Sequence, residues 1–225
     1  MPPATFMPGR EVNLLDRLPQ TRRDPQARAA AKTQADRALA KQFGRDFFDG
    51  ERRHGYGGYR YDGRWLPVVR RLVEFYSLGP EARILDVGAA KGFLLHDFLQ
   101  VLPGATVRGL DVSAYAKAHA HGATGPLIDL GSGDALPYAD ASFDLVVSIN
   151  SIHNLPPARC QRALAEMERV SRAHKFVTID AWRTADEHQR LLDWILTAET
   201  YLHVDDWVKL FAEVGYTGDY WWFIP

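Results

Sequence analysis

The chain has one cysteine, no long apolar run and almost no net charge, and each scarcity narrows what it can be. Cys160 is the single cysteine among 225 residues, which excludes an intramolecular disulfide and any multi-cysteine metal site. A lone thiol also fits a reducing, cytoplasmic setting. No stretch approaches 18 uninterrupted apolar residues, so the pattern argues against a membrane span. Residues 1–10 contain no apolar run resembling a signal sequence. With a formal net charge of −1, the composition does not advertise nucleic acid or an anionic membrane. No internal repeat or low-complexity tract is evident.

What is present suits one α/β domain with a substantial core: 46% hydrophobic and 24% charged residues. The charge is unevenly placed. Residues 1–71 hold 15 Lys and Arg against 8 Asp and Glu, whereas residues 72–225 hold 12 against 20. A basic cap facing a phosphorylated or carboxylated molecule would produce this, and so would solvated helix faces.

The pattern divides the chain at about residue 78. Residues 1–24, with four prolines, read as an extended leader, and residues 25–43 as a helix with Pro25 in its first turn. Residues 53–65 are the least ordinary segment, rich in glycine, tyrosine and arginine and ending at Trp65. A helix over 66–76 then stops at Gly79-Pro80. From there strands and helices alternate. Strands are expected at 83–87, 106–110, 127–130, 143–149, 175–179 and 220–224, with helices at 93–101, 115–121, 157–170, 187–200 and 204–214. This predicts a doubly wound, mostly parallel Rossmann-like sheet over residues 79–225, preceded by a helical and Gly/Tyr-rich cap over 1–78.

Ligands of such sheets bind at the carboxyl ends of the strands, where the strand order reverses. Gly88 and Gly92 fall where the first strand turns into its helix, and glycine there lets backbone approach a ligand. Asp111 ends the second strand, where a carboxylate can accept both hydroxyls of a ribose. These residues point to a nucleotide cofactor without choosing which.

Together with Asp134-Ala135 and the strand around Ser148, this order of motifs resembles the class I S-adenosylmethionine-dependent methyltransferase family over residues 79–215. The resemblance implies S-adenosylmethionine as cofactor and S-adenosylhomocysteine as product. Asp86, Gly88 and Gly92 would lie against the methionine part and Asp111 on the ribose. Val112 would flank the adenine, with Asp134 and Ala135 at its edge. Ser148 and Asn150 would open toward the sulfonium and the acceptor. Four departures stand out. Ala90 replaces a common glycine. Lys91 puts a cation in the turn, facing either solvent or the cofactor carboxylate. The segment 171–174 lacks the glycines that usually precede the fifth strand. The C-terminus has little room for the family's antiparallel strand pair, so either six strands or a pair compressed into 215–225 is expected.

Methyl transfer depends on orienting the acceptor lone pair opposite the departing sulfur. His153, after the fourth strand, is suited to remove a proton, with Asn150 beside it; a shaping role is its alternative. His54, Tyr56, Tyr59, Arg60, Tyr61, Arg64 and Trp65 read as an acceptor lid or as an aromatic cover. Asn154 and Trp182 belong to the same acceptor edge, next to Asp180. Trp194, Trp207, Trp221 and Trp222 read as packing residues. His119 and His121 have no acidic or cysteine partners that would suggest a metal. The expected activity is methylation of oxygen or nitrogen on a small polar metabolite, sugar-like or anionic. The rivals are an RNA methyltransferase and a non-catalytic regulatory or assembly protein that binds S-adenosylmethionine.

Overall fold

The computed structural model describes residues 9–19 and 23–225, so much of the expected leader lies outside the described residues. Two short helices, α1 (Pro25–Ala30) and α2 (Gln34–Ala40), stand where one helix over 25–43 was expected, and a third, α3 (Arg45–Asp49), follows Gly44. Thr33 makes the break. Its hydroxyl accepts the Asp36 N–H while the Asp36 carboxylate accepts the Thr33 N–H, a capping box that starts a new helix.

Helix α4 (Leu66–Phe75) leads into β1 (Arg83–Val87), α5 (Phe93–Val101), β2 (Thr106–Asp111), α6 (Ala114–Ala118), β3 (Ile128–Leu130) and β4 (Phe143–Ile149). Then follow α7 (Pro157–Val170), β5 (Ser171–Trp182), α8 (Ala185–Trp194), β6 (Leu202–His203), α9 (Val204–Val214) and β7 (Asp219–Phe223). The sheet runs β3-β2-β1-β4-β5-β6, with β7 also on β5, and all its strand pairings are parallel. Because successive strand residues point to opposite faces, Ile84 joins the core under α4 and α5 while Leu85 joins the core under α7 and α9. Covering both faces is what makes β1 and β4 almost continuously apolar.

Two features depart from expectation. Helix α7 runs directly into β5 without a glycine turn; a register shift against β4 between Phe143 and Leu145 absorbs the irregularity, and Ser171 satisfies the Ala173 N–H. At the other end, neither expected arrangement of the last strands is found. Residues 215–225 hold one strand, β7, parallel to β5 with Phe176 opposite Asp219 and Asp180 opposite Phe223. Helix α9 carries the chain back across the sheet before β7, as a parallel connection requires. Residues 10–12 cover the outer edge of β7: Tyr220 N–H donates to the Arg10 carbonyl and Val12 N–H to the Tyr220 carbonyl. Among the described residues, no helix is long and apolar enough to cross a membrane.

Candidate functional site

The strand order reverses between β1 and β4, and the site is built where those strands end. Gly88 (φ +91°), Ala90 (φ +49°) and Gly92 (φ +71°) all hold left-handed backbone in the turn from β1 to α5. A Cβ on Gly88 would lie 2.0 Å from the Ser151 hydroxyl, so the loop after β4 can close on the turn only because no side chain is there. Ala90 carries the strain that a glycine would avoid. Its N–H donates to Asp111 Oδ2 at 2.7 Å, while Asp111 Oδ1 accepts the Ser113 N–H at 2.8 Å. One carboxylate thereby fixes the turns after β1 and β2, and each oxygen keeps a lone pair for another donor.

Asp86 is buried and makes no hydrogen bond among the described residues. Burial, reinforced by the nearby Asp111 charge, pushes its carboxyl up to about 7. A cation brought to the turn would favour its ionised form. Such an unpartnered carboxylate beside a turn with no side chain at Gly88 fits the amino group and sulfonium of S-adenosylmethionine.

Lys91 takes neither orientation anticipated for it. Its buried Nζ donates to both oxygens of Asp49, at 2.8 and 2.6 Å, and to the Tyr59 carbonyl at 3.0 Å. Tyr115 OH also donates to Asp49, at 2.8 Å. Burial opposes the charge on Asp49, yet the bonds from Lys91 and Tyr115 hold its carboxyl below the ordinary range. The cation therefore fastens the N-terminal segment to the glycine turn.

A cavity of about 330 Å³ passes Gly88, Asp111, Val112 and Ser132. A second, of about 770 Å³, passes Asp86, Tyr59, Arg60 and Trp65. Gly88, Ala90 and Asn150 border both, so the two adjoin at the ends of β1 and β4. Val112 is 54% exposed at the wall of the first cavity, which also carries Phe43, Phe47 and Phe48. Apolar walls of this kind suit a flat ring. Asp134 and Ala135 border neither cavity, and their polar groups are engaged. Asp134 accepts two bonds from Arg159, at 2.8 Å each, and one each from Ser132 and Arg162, while Ala135 N–H donates to the Ser132 carbonyl.

At the end of β4, the buried Ser148 hydroxyl donates to the Val87 carbonyl at 2.9 Å and borders neither cavity. Asn150 (φ +50°) borders both, its Oδ1 accepting the Thr178 hydroxyl at 2.9 Å. Asn154 Oδ1 accepts the Thr197 hydroxyl at 2.8 Å on the wall of the first cavity. His153 is buried there, in a 3₁₀ turn. Its Nδ1 accepts the Asp180 N–H at 3.2 Å, and its Nε2 lies 3.5 Å from Asp180 Oδ1. Burial lowers the pKa of this imidazole, against the pull of Asp180.

The Gly/Tyr segment divides between wall and cover. Tyr56, Tyr59, Arg60, Arg64 and Trp65 border the second cavity. His54 and Tyr61 border neither: His54 Nε2 lies 2.9 Å from Asp36, and Tyr61 donates to the buried Asp97 at 2.5 Å while stacking on His121. Trp182 is absent from both walls as well, stacked on His188 and edge-on to His203. Trp194, expected to be packing, borders both, and Trp221 and Trp222 border the second. Sequence reasoning also missed a clamp. Arg28 donates to the Trp194 carbonyl, Lys32 to those of Asp193 and Ile195, and Arg37 to that of Ile195. Three basic side chains thus meet the free carbonyls and negative dipole end of α8, holding the loop that walls the first cavity; burial and the neighbouring arginines lower the Lys32 ammonium to about 7.

A family model described as a methyltransferase domain matches residues 85–179, the span from the β1 turn through β5. Over those residues the chain matches that domain, in keeping with its resemblance to the class I S-adenosylmethionine-dependent methyltransferase family. It is 29% identical over 130 residues to a malonyl-[acyl-carrier protein] O-methyltransferase of Methylococcus capsulatus, covering 56% of this chain and 46% of that protein. An uncharacterized protein of Haemophilus influenzae is 29% identical over 172 residues, covering 71% and 61%. The chain thus spans about half the length of the curated relatives it matches. The methyltransferase domain shares its fold with the YcgJ protein of Bacillus subtilis, at a TM-score of 0.53 and 17% identity over 65% of this chain and 66% of that one.

Proposed function

We propose that this chain transfers a methyl group from S-adenosylmethionine to oxygen or nitrogen of a small, polar, anionic metabolite, releasing S-adenosylhomocysteine. The observation that carries this reading is the arginine wall of the larger cavity. Arg60 and Arg190 have no acidic partner among the described residues, Arg52 donates to the Gly55 carbonyl, and Arg23 lies over the Phe223 ring at 4.6 Å. Of the carboxylates on the same wall, Asp62 is taken by Arg64, and Glu187 accepts the backbone N–H groups of Arg183 and Thr184. Unpaired guanidinium groups among Tyr59, Trp65 and Trp194 suit a carboxylate or phosphate on a compact molecule. The name of the Methylococcus relative, an O-methyltransferase acting on a malonyl group, is in keeping with an oxygen acceptor on an acidic compound.

The cofactor supplies an electrophilic methyl on a positively charged sulfur. Asp111 would accept the ribose hydroxyls, Val112 and the Phe43–Phe47 wall would sandwich the adenine, and Asp86 would neutralise the ammonium end. Asn150, braced by Thr178, would position the acceptor across the junction of the two cavities. Residues 1–78 would act as the substrate cap, with Lys91 anchoring it to residues 79–225. Most of the rate would come from alignment.

Calorimetric titration with S-adenosylmethionine, on the wild type and Asp111→Ala, tests cofactor binding; equal affinity in both would count against the assignment. Labelled methyl supplied with metabolite extracts that have first been separated by anion exchange tests the acceptor class. Label is expected from the retained, acidic fraction. Transfer only to the unretained fraction would remove the anionic class, and cofactor binding without any transfer would leave the non-catalytic binding reading.

A further inference from the structure

We infer that Asp180 is the group that takes the acceptor's proton, with His153 as its positioning residue; the inference rests on the methyl-transfer reading above.

The geometry withdraws His153 from direct contact with an acceptor. Its Nδ1 accepts the Asp180 N–H at 3.2 Å, so the lone pair of that nitrogen is in use and the proton of the neutral ring belongs on Nε2. Nε2 in turn faces Asp180 Oδ1 at 3.5 Å. Both ring nitrogens are committed to one residue. The carboxylate is not: Asp180 borders the first cavity and not the second, so an acceptor on the arginine wall meets it across the junction at Asn150; its side chain is 8% exposed, and no hydrogen bond reaches its oxygens among the described residues. An ionised carboxylate has room for several donors.

Its position suits the task. Asn150 follows the last paired residue of β4, Ile149, which stands opposite Thr178, and Asp180 lies two residues further along β5 on the same face as Thr178. The carboxylate therefore sits one strand beyond Asn150, on the side away from the β1 turn. Asp86, the other buried carboxylate without a hydrogen bond among the described residues, belongs to the turn side. The Asp180 backbone is rigid as well. Its carbonyl accepts the indole N–H of the buried Trp207 at 3.0 Å, and Phe223 of β7 pairs with it across the strand. His153 is the titratable group acting on Asp180; burial raises its carboxyl, and His153 opposes that rise. A carboxylate made more basic in this way accepts a proton more readily.

In the reaction, a lone pair of the acceptor oxygen or nitrogen forms the new bond to the methyl carbon. The carbon–sulfur pair returns to sulfur, giving the neutral thioether, and the acceptor's proton passes to Asp180. The positive charge of the sulfonium and the negative charge of the carboxylate disappear together. Nε2–H of His153, 3.5 Å from Oδ1, turns its positive end toward the carboxylate until transfer and acts on it through charge, without a hydrogen bond.

The test compares wild type, Asp180→Asn and His153→Gln, using methyl-labelled S-adenosylmethionine and the acidic metabolite fraction. Asp180→Asn should lower turnover by about a hundredfold or more and abolish the acid limb of the pH profile, with cofactor affinity within about twofold of wild type. His153→Gln should cost about tenfold and move the acid limb to higher pH, since the stabilising donor is gone. A purely structural histidine would lower turnover without moving the limb. An unchanged limb in Asp180→Asn with active wild type overturns this inference alone, whereas wild type that binds cofactor and transfers nothing overturns the reading beneath it as well. Nitrogen-15 NMR of the wild type keeps a decision available if Asp180→Asn fails to fold. His153 should be neutral with its proton on Nε2; a proton on Nδ1 with Nε2 free would overturn the assignment.

Discussion

Lys91 Nζ lies 2.6 Å from Asp49 Oδ2, joining the glycine turn to helix α3 across 42 residues of sequence. With Lys91 91% buried at the side chain and Asp49 mostly so, removing one partner strands the other's charge. Lys91→Met and Asp49→Ala should each destabilise the fold by about 3 kcal/mol in urea unfolding. The double variant should recover part of the loss, because no lone charge remains. Additive losses would show that the pair acts independently.

Asp111 fastens two turns as well as facing the cavity. Asp111→Ala leaves the Ala90 and Ser113 N–H groups without their acceptor. A stability loss of about 1–3 kcal/mol should accompany at least a tenfold loss of cofactor affinity. Asp111→Asn, which retains one acceptor oxygen, should fall between. Thermal unfolding and calorimetry on the same samples separate the two effects.

Asp86 makes the ligand-free protein pH-sensitive. Its folded-state pKa, raised to about 7, exceeds that of the unfolded chain, so the folded state binds more protons between roughly pH 4 and 7. Its contribution to stability is present below that window and is lost as pH rises through 7. A cationic ligand that prefers the ionised form must bind more tightly as pH rises through 7, releasing a proton. Titration in buffers of different ionisation enthalpy should reveal that proton, and Asp86→Asn should abolish it.

The tryptophans exchange the roles that their positions in sequence suggested. Trp194 borders both cavities and lies 4.6 Å from the Arg28 guanidinium, while Trp182 packs on His188. Trp194→Ala should raise the acceptor KM by about tenfold, in keeping with about 1 kcal/mol or more from lost aromatic and cation contacts. Trp182→Phe should leave KM within about twofold. Steady-state kinetics with the acidic acceptor fraction decides between the two residues.

The sequence by itself determined the alternating strands and helices. In β1, α5, β4, α7 and α9, apolar periodicity and strong stop signals fall at the same residues as the folded elements. It also determined the positive-φ turn at Gly88 and Gly92 and the acid that closes β2, because those are local demands of backbone geometry. The cap was less legible, since Thr33 and Asp36 divide one helical pattern into two with a side-chain cap that composition does not reveal. Only the tertiary structure decided the partners of Lys91, the commitment of His153 to Asp180 and the cavity wall at Trp194. Each depends on contacts between segments far apart in the chain, and periodicity carries no record of which distant charge a buried side chain will meet. The parallel setting of β7 is of the same kind: its residues read as a strand, but its direction follows from the path of α9 across the sheet.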